Sequence, residues 1–186
     1  ALVLWISRFQ DGDDYGIFGK IISPDGNIVV DEFQVNGYFK SYQNSPQILN
    51  LQNENVLIAW QSNTADGSGN GIYAKIIDPM NNVVTPEFRI NDYTNLDQMN
   101  FQMGLLDNGN VFFVWQSPRM TSANLKGIYA KIIDPNGHTV RPEYQINDYM
   151  GSDQQFPALA IVNQSYILVA WESYEQDGDG LGIYGK

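Results

Sequence analysis

The sequence predicts an all-β fold, a β-propeller-like array of four-stranded antiparallel blades with about 55 residues per repeat. Three observations carry this reading. Trp5, Trp60, Trp115 and Trp171 follow one another at spacings of 55, 55 and 56 residues. The segment Gly16-Ile17-Phe18-Gly19-Lys20-Ile21-Ile22 recurs as Gly71 to Ile77, as Gly127 to Ile133, and as Gly182-Ile183-Tyr184-Gly185-Lys186. No stretch sustains a 3.6-residue apolar period, so almost no helix is expected. Self-similarity at a fixed period marks a repeat architecture and is read before any local pattern.

Each repeat contains four short β-rich segments. Strand a runs over Pro46 to Leu51, Phe101 to Leu106 and Pro157 to Ile161. Strand b runs over Val56 to Gln61, Val111 to Gln116 and Ile167 to Glu172, strand c over Ile72 to Ile77 and its copies, and strand d over Glu87 to Asn91 and its copies. Their residues are the β-branched and aromatic types that suit a pleated surface. The breaks carry turn chemistry. Asp107-Asn108-Gly109-Asn110 separates a from b, with Asn-Gly supplying positive φ for a tight hairpin. Asp25-Gly26, Asn81-Asn82 and Asn136-Gly137, each close behind a Pro, turn c into d.

Strand b sets the packing. In Val111-Phe112-Phe113-Val114-Trp115 both alternating faces are apolar, which demands a sheet on either side. Strand d alternates, with Phe88 and Ile90 inward and Glu87 and Arg89 outward, as an edge strand does. Small sheets sandwiched by their neighbours are propeller blades. A stacked antiparallel β-solenoid is the rival. The array divides into a partial blade at 1–36, full blades at 43–91 and 98–147, and a partial blade at 154–186. The strand count does not close a three-bladed ring. We therefore expect a partial or open array, with further copies of itself or flanking repeats as partners and the chain a processed one or a window of something longer.

Composition narrows the partners. The chain has 10 Lys+Arg against 21 Asp+Glu and a formal net charge of −11. That excess of acid argues against nucleic acid, whose phosphates call for clustered cations. It argues equally against an anionic membrane surface, and no apolar run is long enough to insert in a bilayer. With no Cys there is no disulfide, thiolate metal site or cysteine nucleophile.

The loops between b and c are the candidate metal sites. They carry Asp11, Asp13 and Asp14, then Asp66, then Asp177 and Asp179, interleaved with glycine. Alternating Asp and Gly can wrap oxygen ligands around calcium. None of these loops has the full Asp-x-Asp-x-Asp-Gly spacing with a distal Glu, so Asp-Gly acting as plain turn chemistry is the competing reading. The copy from Ser122 to Gly127 has no acid. Tyr38, Tyr93 and Tyr149 follow strand d at a surface turn and are candidates for partner or glycan contact. Asn163-Gln164-Ser165 is a glycosylation sequon in an a–b turn. The lone His138 sits in a c–d turn and reads as solvated. Glu32, Glu87 and Glu143 share one repeat phase, which points to a role in the repeat's own structure. The four arginines fall at different phases, so no arginine cluster forms, and no catalytic residue is assigned.

The block from Asp97-Gln98 through Val111 to Ser117, Gly127 to Asp134 and Glu143 to Asn147 resembles the tandem "WQS…GIY" β-repeats of very large secreted or surface proteins of bacteria and ciliates. The blade order is also similar to sialidase-type propellers, although their Asp-box is reduced here to Ser23-Pro24-Asp25-Gly26. The repeat resemblance implies a secreted or cell-surface location. It leads us to expect a non-enzymatic structural or adhesive repeat module of an extracellular assembly. The alternatives are a calcium-dependent, lectin-like glycan-binding propeller and a glycosidase domain.

Overall fold

The computed structural model describes residues 1–119, 125–163 and 166–186. The described residues form strands β1 (Leu2–Arg8), β2 (Tyr15–Ile22), β3 (Ile28–Gln34), β4 (Gln43–Asn50), β5 (Val56–Asn63), β6 (Asn70–Ile77) and β7 (Val83–Arg89). They continue with β8 (Met99–Leu105), β9 (Val111–Ser117), β10 (Gly127–Ile133), β11 (Thr139–Gln145), β12 (Gln154–Asn163), β13 (Tyr166–Tyr174) and β14 (Leu181–Gly185). There is no helix among them. Four antiparallel sheets result, in the orders β1-β2-β3, β4-β5-β6-β7, β8-β9-β10-β11 and β12-β13-β14. This is the propeller-like array of three- and four-stranded blades, none of whose sheets closes on itself. Two compact units hold two sheets each, residues 1–90 and 91–186.

The apolar pattern explains the packing in each unit. In β9 every residue is buried, as a strand with two apolar faces must be. In the first unit, Ile17, Val35, Leu2, Leu4 and Phe33 of one sheet meet Ile58, Trp60, Tyr73 and Ile77 of the next. In the second unit, Phe112, Val114, Ile128 and Ile146 meet Val169, Trp171 and Tyr184 in the same arrangement. Within each unit, one face of the first sheet therefore packs on the opposite-phase face of the second.

Polar residues repeated in phase bolt these layers together. The Ile17 N–H donates to Asn36 Oδ1 at 2.7 Å, and Asn36 Nδ2 donates to the Tyr38 carbonyl and to Gln43 Oε1. Asn91 repeats the two Nδ2 bonds with Tyr93 and Gln98. Glu87 Oε2 accepts the Gly37 N–H at 2.6 Å, and Glu143 Oε2 accepts the Asp92 N–H at 2.6 Å. Lys75 Nζ reaches back to the Val35 carbonyl, and Lys186 Nζ to the Ile146 carbonyl. The phase-matched glutamates at 87 and 143 thus clamp the linker that follows the preceding sheet.

Two element boundaries differ from the sequence reading. Strand d begins at Val83, four residues before Glu87, because the ladder resumes past a bulge as Thr85↔Ile76 and Val83↔Ile77. Pro86 sits in that bulge on the edge strand, where a missing N–H is tolerated. Strand a begins at Gln43, not Pro46. It pairs Gln43↔Ser62 and then shifts register between Asn44 and Gln47. The same irregularity recurs in β8 and β12, with φ of 52° at Ser45, 55° at Asn100 and 53° at Phe156. A bulge on the first strand of a sheet bends it and re-aims its side chains.

Candidate functional site

In each unit the chain ends of b, the starts of c and the starts of a lie at one end of the sheets, as the antiparallel registers require. At that end of the first unit, Ile6, Asp14, Tyr15, Tyr42 and Asn44 line a cleft of about 260 Å³. Ile6 is brought there by β1, Tyr15 by the start of β2, and Asn44 by the bulge of β4. Asn44 Oδ1 accepts Gln61 Nε2 at 2.7 Å, and the same Gln61 nitrogen reaches Ser45 Oγ at 3.2 Å, which fixes the amide plane. The Tyr42 hydroxyl lies 3.3 Å from Asn63 Nδ2 and 3.5 Å from Asn70 Nδ2. Arg8 Nε pairs with Asp14 Oδ1 at 3.1 Å, and its guanidinium carbon stands 5.3 Å from the Tyr15 ring centroid and 4.5 Å from that of Phe9.

Chemically the lining offers two phenol rings, one amide and one carboxylate already paired with a cation. Aromatic faces with a polar tip suit a flat amphipathic ligand whose edges carry hydroxyls. Acid–base hydrolysis of a glycoside needs two carboxyl groups about 5 to 9.5 Å apart. The cleft lining holds one, and β4, β8 and β12 contain neither Asp nor Glu.

The acids singled out by sequence lie in three loops that share one backbone turn. Phe9, Thr64 and Glu175, with φ near +60°, each donate an N–H to the residue five positions on. Gly12, Gly67 and Gly178 occupy the left-handed position that closes each turn, at φ of 94° to 97°. The loops fold alike whether they carry three acids, one or two. Asp11 accepts Gln34 Nε2 and the Asp13 N–H, and Asp13 accepts the N–H groups of Asp14 and Ser41. Asp66 accepts the Ser68 N–H, and Asp177 accepts that of Asp179. Among the described residues no group of three or more His, Cys, Asp or Glu is placed to hold a metal ion.

Tyr38, Tyr93 and Tyr149 are half-buried. The Tyr38 hydroxyl is 3.4 Å from Thr64 Oγ1, and Tyr93 lies under the Arg119 guanidinium at 5.0 Å. Asn163 is exposed and accepts the Tyr166 N–H, while Gln164 and Ser165 of its sequon lie outside the described residues. So do Ser122, Ala123 and Asn124 of the acid-free loop. His138 stands in its solvated turn with Nδ1 3.1 Å from Asp134.

Sequence reasoning missed Tyr15, Tyr42 and Asn44. Their signal is departure from the repeat. Tyr42 stands where the other copies have Asp97 and Asp153, Asn44 where they have Met99 and Gln155, and Tyr15 where they have Asn70, Lys126 and Leu181. Residues that recur in every copy build the sheets, so chemistry peculiar to one place sits at the phases that vary.

A larger cavity of about 360 Å³ in the second unit is lined mostly by apolar side chains, among them Phe112, Tyr144, Ile146, Ile167 and Val169, with Arg141 and Lys186.

No protein-family model matches the sequence, and no curated protein does. Solved structures match the fold. An endo-arabinase from Bacteroides thetaiotaomicron is similar over 92% of this chain and 65% of its own, at 10% identity and a TM-score of 0.52. An endo-1,4-β-xylanase from the same organism is similar over 98% and 69%, at 11% identity and 0.52. A thermostable family-43 glycoside hydrolase is similar over 98% and 71%, at 10% identity and 0.50. The chain thus spans just under two thirds of the endo-arabinase. All three are glycoside hydrolases of β-propeller fold. They correct the expectation of a non-enzymatic structural or adhesive repeat module, because the fold is the one these glycosidases share. The physical reason is that a 55-residue repeat records only how a blade buries its two faces, and an enzyme's blades bury theirs in the same way.

Proposed function

We propose that this chain is a saccharide-binding propeller domain, and that the cleft formed by Ile6, Asp14, Tyr15, Tyr42 and Asn44 receives a neutral sugar chain. The observation that carries the reading is this lining. Two tyrosine rings, one at the start of β2 and one just before β4, stand beside an oriented amide and a paired carboxylate. The rings stack on the apolar face of a pyranose or furanose, and Asn44 and Asp14 take its hydroxyls. The solved structures of similar fold support the ligand class, since they include an endo-arabinase and an endo-1,4-β-xylanase. The single carboxylate in the lining favours binding over cleavage.

Calorimetry with arabino- and xylo-oligosaccharides tests this, alongside an assay for newly formed reducing ends. Micromolar to millimolar binding is expected, weakened at least tenfold by Tyr15→Ala or Asn44→Ala, with no reducing ends released. Absence of binding to both oligosaccharide series refutes the reading. Release of reducing ends replaces it with a glycosidase.

A further inference from the structure

One pair of cross-strand partners differs between the two four-stranded sheets, and the difference leaves a buried donor unused. In the first unit Asn44 of β4 stands opposite Gln61 of β5, and Asn44 Oδ1 accepts Gln61 Nε2 at 2.7 Å. In the second unit Met99 of β8 stands opposite Gln116 of β9. A thioether is a weak acceptor, so Met99 does not replace the asparagine. The Gln116 Oε1 instead accepts Asn100 Nδ2 and the Phe156 N–H, each at 3.0 Å. A backbone N–H can only donate, which fixes the orientation of the amide and turns Nε2 the other way. Among the described residues Gln116 makes its side-chain hydrogen bonds through Oε1 alone. Yet the residue is only 3% exposed. A donor held in a buried residue without a partner is unfavourable, and calls for something that binds there.

Gln116 lines a cavity of about 230 Å³ together with Leu96, Asp97, Met99, Pro118 and Lys126. This is below the roughly 300 Å³ at which pockets begin to hold drug-sized ligands, so a single small group fits. Lys126 is the cation of the lining, and it is already engaged. Its Nζ lies 3.6 Å from Asp153 Oδ2 and 3.3 Å from Gln155 Oε1. With the Asp97 carboxylate in the lining as well, the cavity does not favour an anion. It suits a neutral acceptor for Gln116 Nε2, an apolar tip for Leu96, Met99 and Pro118, and a donor for Asp97. An acetamido group offers all three, in its carbonyl, its methyl and its N–H. We propose that this cavity binds the acetamido group of an N-acetylated amino sugar, the carbonyl oxygen on Gln116 Nε2, the methyl against Met99 and the N–H toward Asp97. Lys126 with Asp153 and Gln155 makes the surroundings polar, which suits ring hydroxyls and not the aliphatic stem of an acetylated lysine. The site lies in the second unit and does not rest on the reading given to the cleft of the first.

The test is nitrogen–proton correlation NMR of the chain titrated with methyl N-acetyl-β-glucosaminide, with methyl β-glucoside as the probe that lacks the acetamido group. The Gln116 side-chain amide signals are expected to move with the first probe and to stay with the second. Met99→Asn gives Gln116 the acceptor that Asn44 gives Gln61, a pair this fold already holds in β4 and β5. It is expected to weaken binding about tenfold or more by engaging Nε2 within the protein. Met99→Leu conserves the apolar wall and is expected to keep the affinity within about threefold. Unmoved Gln116 signals at the highest soluble probe concentration overturn the proposal. So do equal responses to the two probes, wild-type affinity in Met99→Asn, or a loss in Met99→Leu as large as that in Met99→Asn. Tighter binding of N-acetyl-lysine methylamide than of the sugar overturns it as well.

Discussion

Trp60 and Trp5 occupy the same repeat position with different surroundings, which isolates what the residue contributes. Trp60 is wholly buried between two sheets, and Trp5 is half-buried on an open face. Trp60→Ala is expected to cost about 3–5 kcal/mol, the range for emptying a large aromatic from a core, and Trp5→Ala clearly less. Urea melts of the two variants compare them directly, and equal losses would mean that Trp5 is covered in solution. Tyr73 packs in the same core. Burial, and then the nearby Asp66 carboxylate, push its hydroxyl up from 10.0 to about 12. The folded chain therefore holds this proton more tightly than the unfolded chain does. The resulting stability is whole below the unfolded value and is lost as pH rises through the folded one. Denaturant midpoints should fall between pH 10 and 12, and Tyr73→Phe should flatten part of that fall. An unchanged slope in the variant would move the effect to other groups.

The elements were legible where the chain's periodicity and turn chemistry agree. Strand b was visible from its two apolar faces, and the c–d turns from Asp25-Gly26, Asn81-Asn82 and Asn136-Gly137, which take up positive φ at Gly26, Asn81 and Gly137. The start of strand a was hidden because Pro46 reads as a strand boundary, whereas a bulge lets the strand run through it. The start of strand d was hidden because Val83 and Val84 are exposed and carry no alternation. Neighbouring sheets also approach closely where strand a carries glycine. In the second unit a Cβ built on Gly104 of β8 would stand 2.9 Å from Ile161 Cγ1 and 3.2 Å from Leu159 Cδ2, both on β12. The side chains there are branched and already packed, so they yield little. Gly104→Ala should destabilise by about 1–3 kcal/mol, the usual cost of overpacking. Ile161→Val in the same chain should recover part of it. A neutral Gly104→Ala in thermal melts would show that β12 moves away without penalty.

At the scale of the whole molecule, the sequence exposed the architecture and concealed the site for one reason. Repetition amplifies whatever every blade needs, such as the Asn36–Gln43 bond or the Glu87 clamp, and averages away what one blade does alone. The cleft belongs to the second class, and so does the choice of ligand. Net charge constrains that choice. With 21 Asp+Glu against 10 Lys+Arg, the chain carries a net negative charge, and Arg8 beside the cleft is paired with the lining Asp14. A uronate-rich polysaccharide is repelled at long range, while a neutral pentose chain feels no such field. The two cases separate by salt. Affinity for neutral arabino- or xylo-oligosaccharides should stay flat from low to high ionic strength, because stacking and neutral hydrogen bonds are not screened. Affinity for polygalacturonate should be weakest at low salt, where the Debye length is longest, and should rise as salt is added. Affinity electrophoresis in gels cast with each polysaccharide, run at two salt concentrations, reads both trends. Tight polygalacturonate binding at low salt would place cations of this chain at the ligand and displace the neutral-sugar reading.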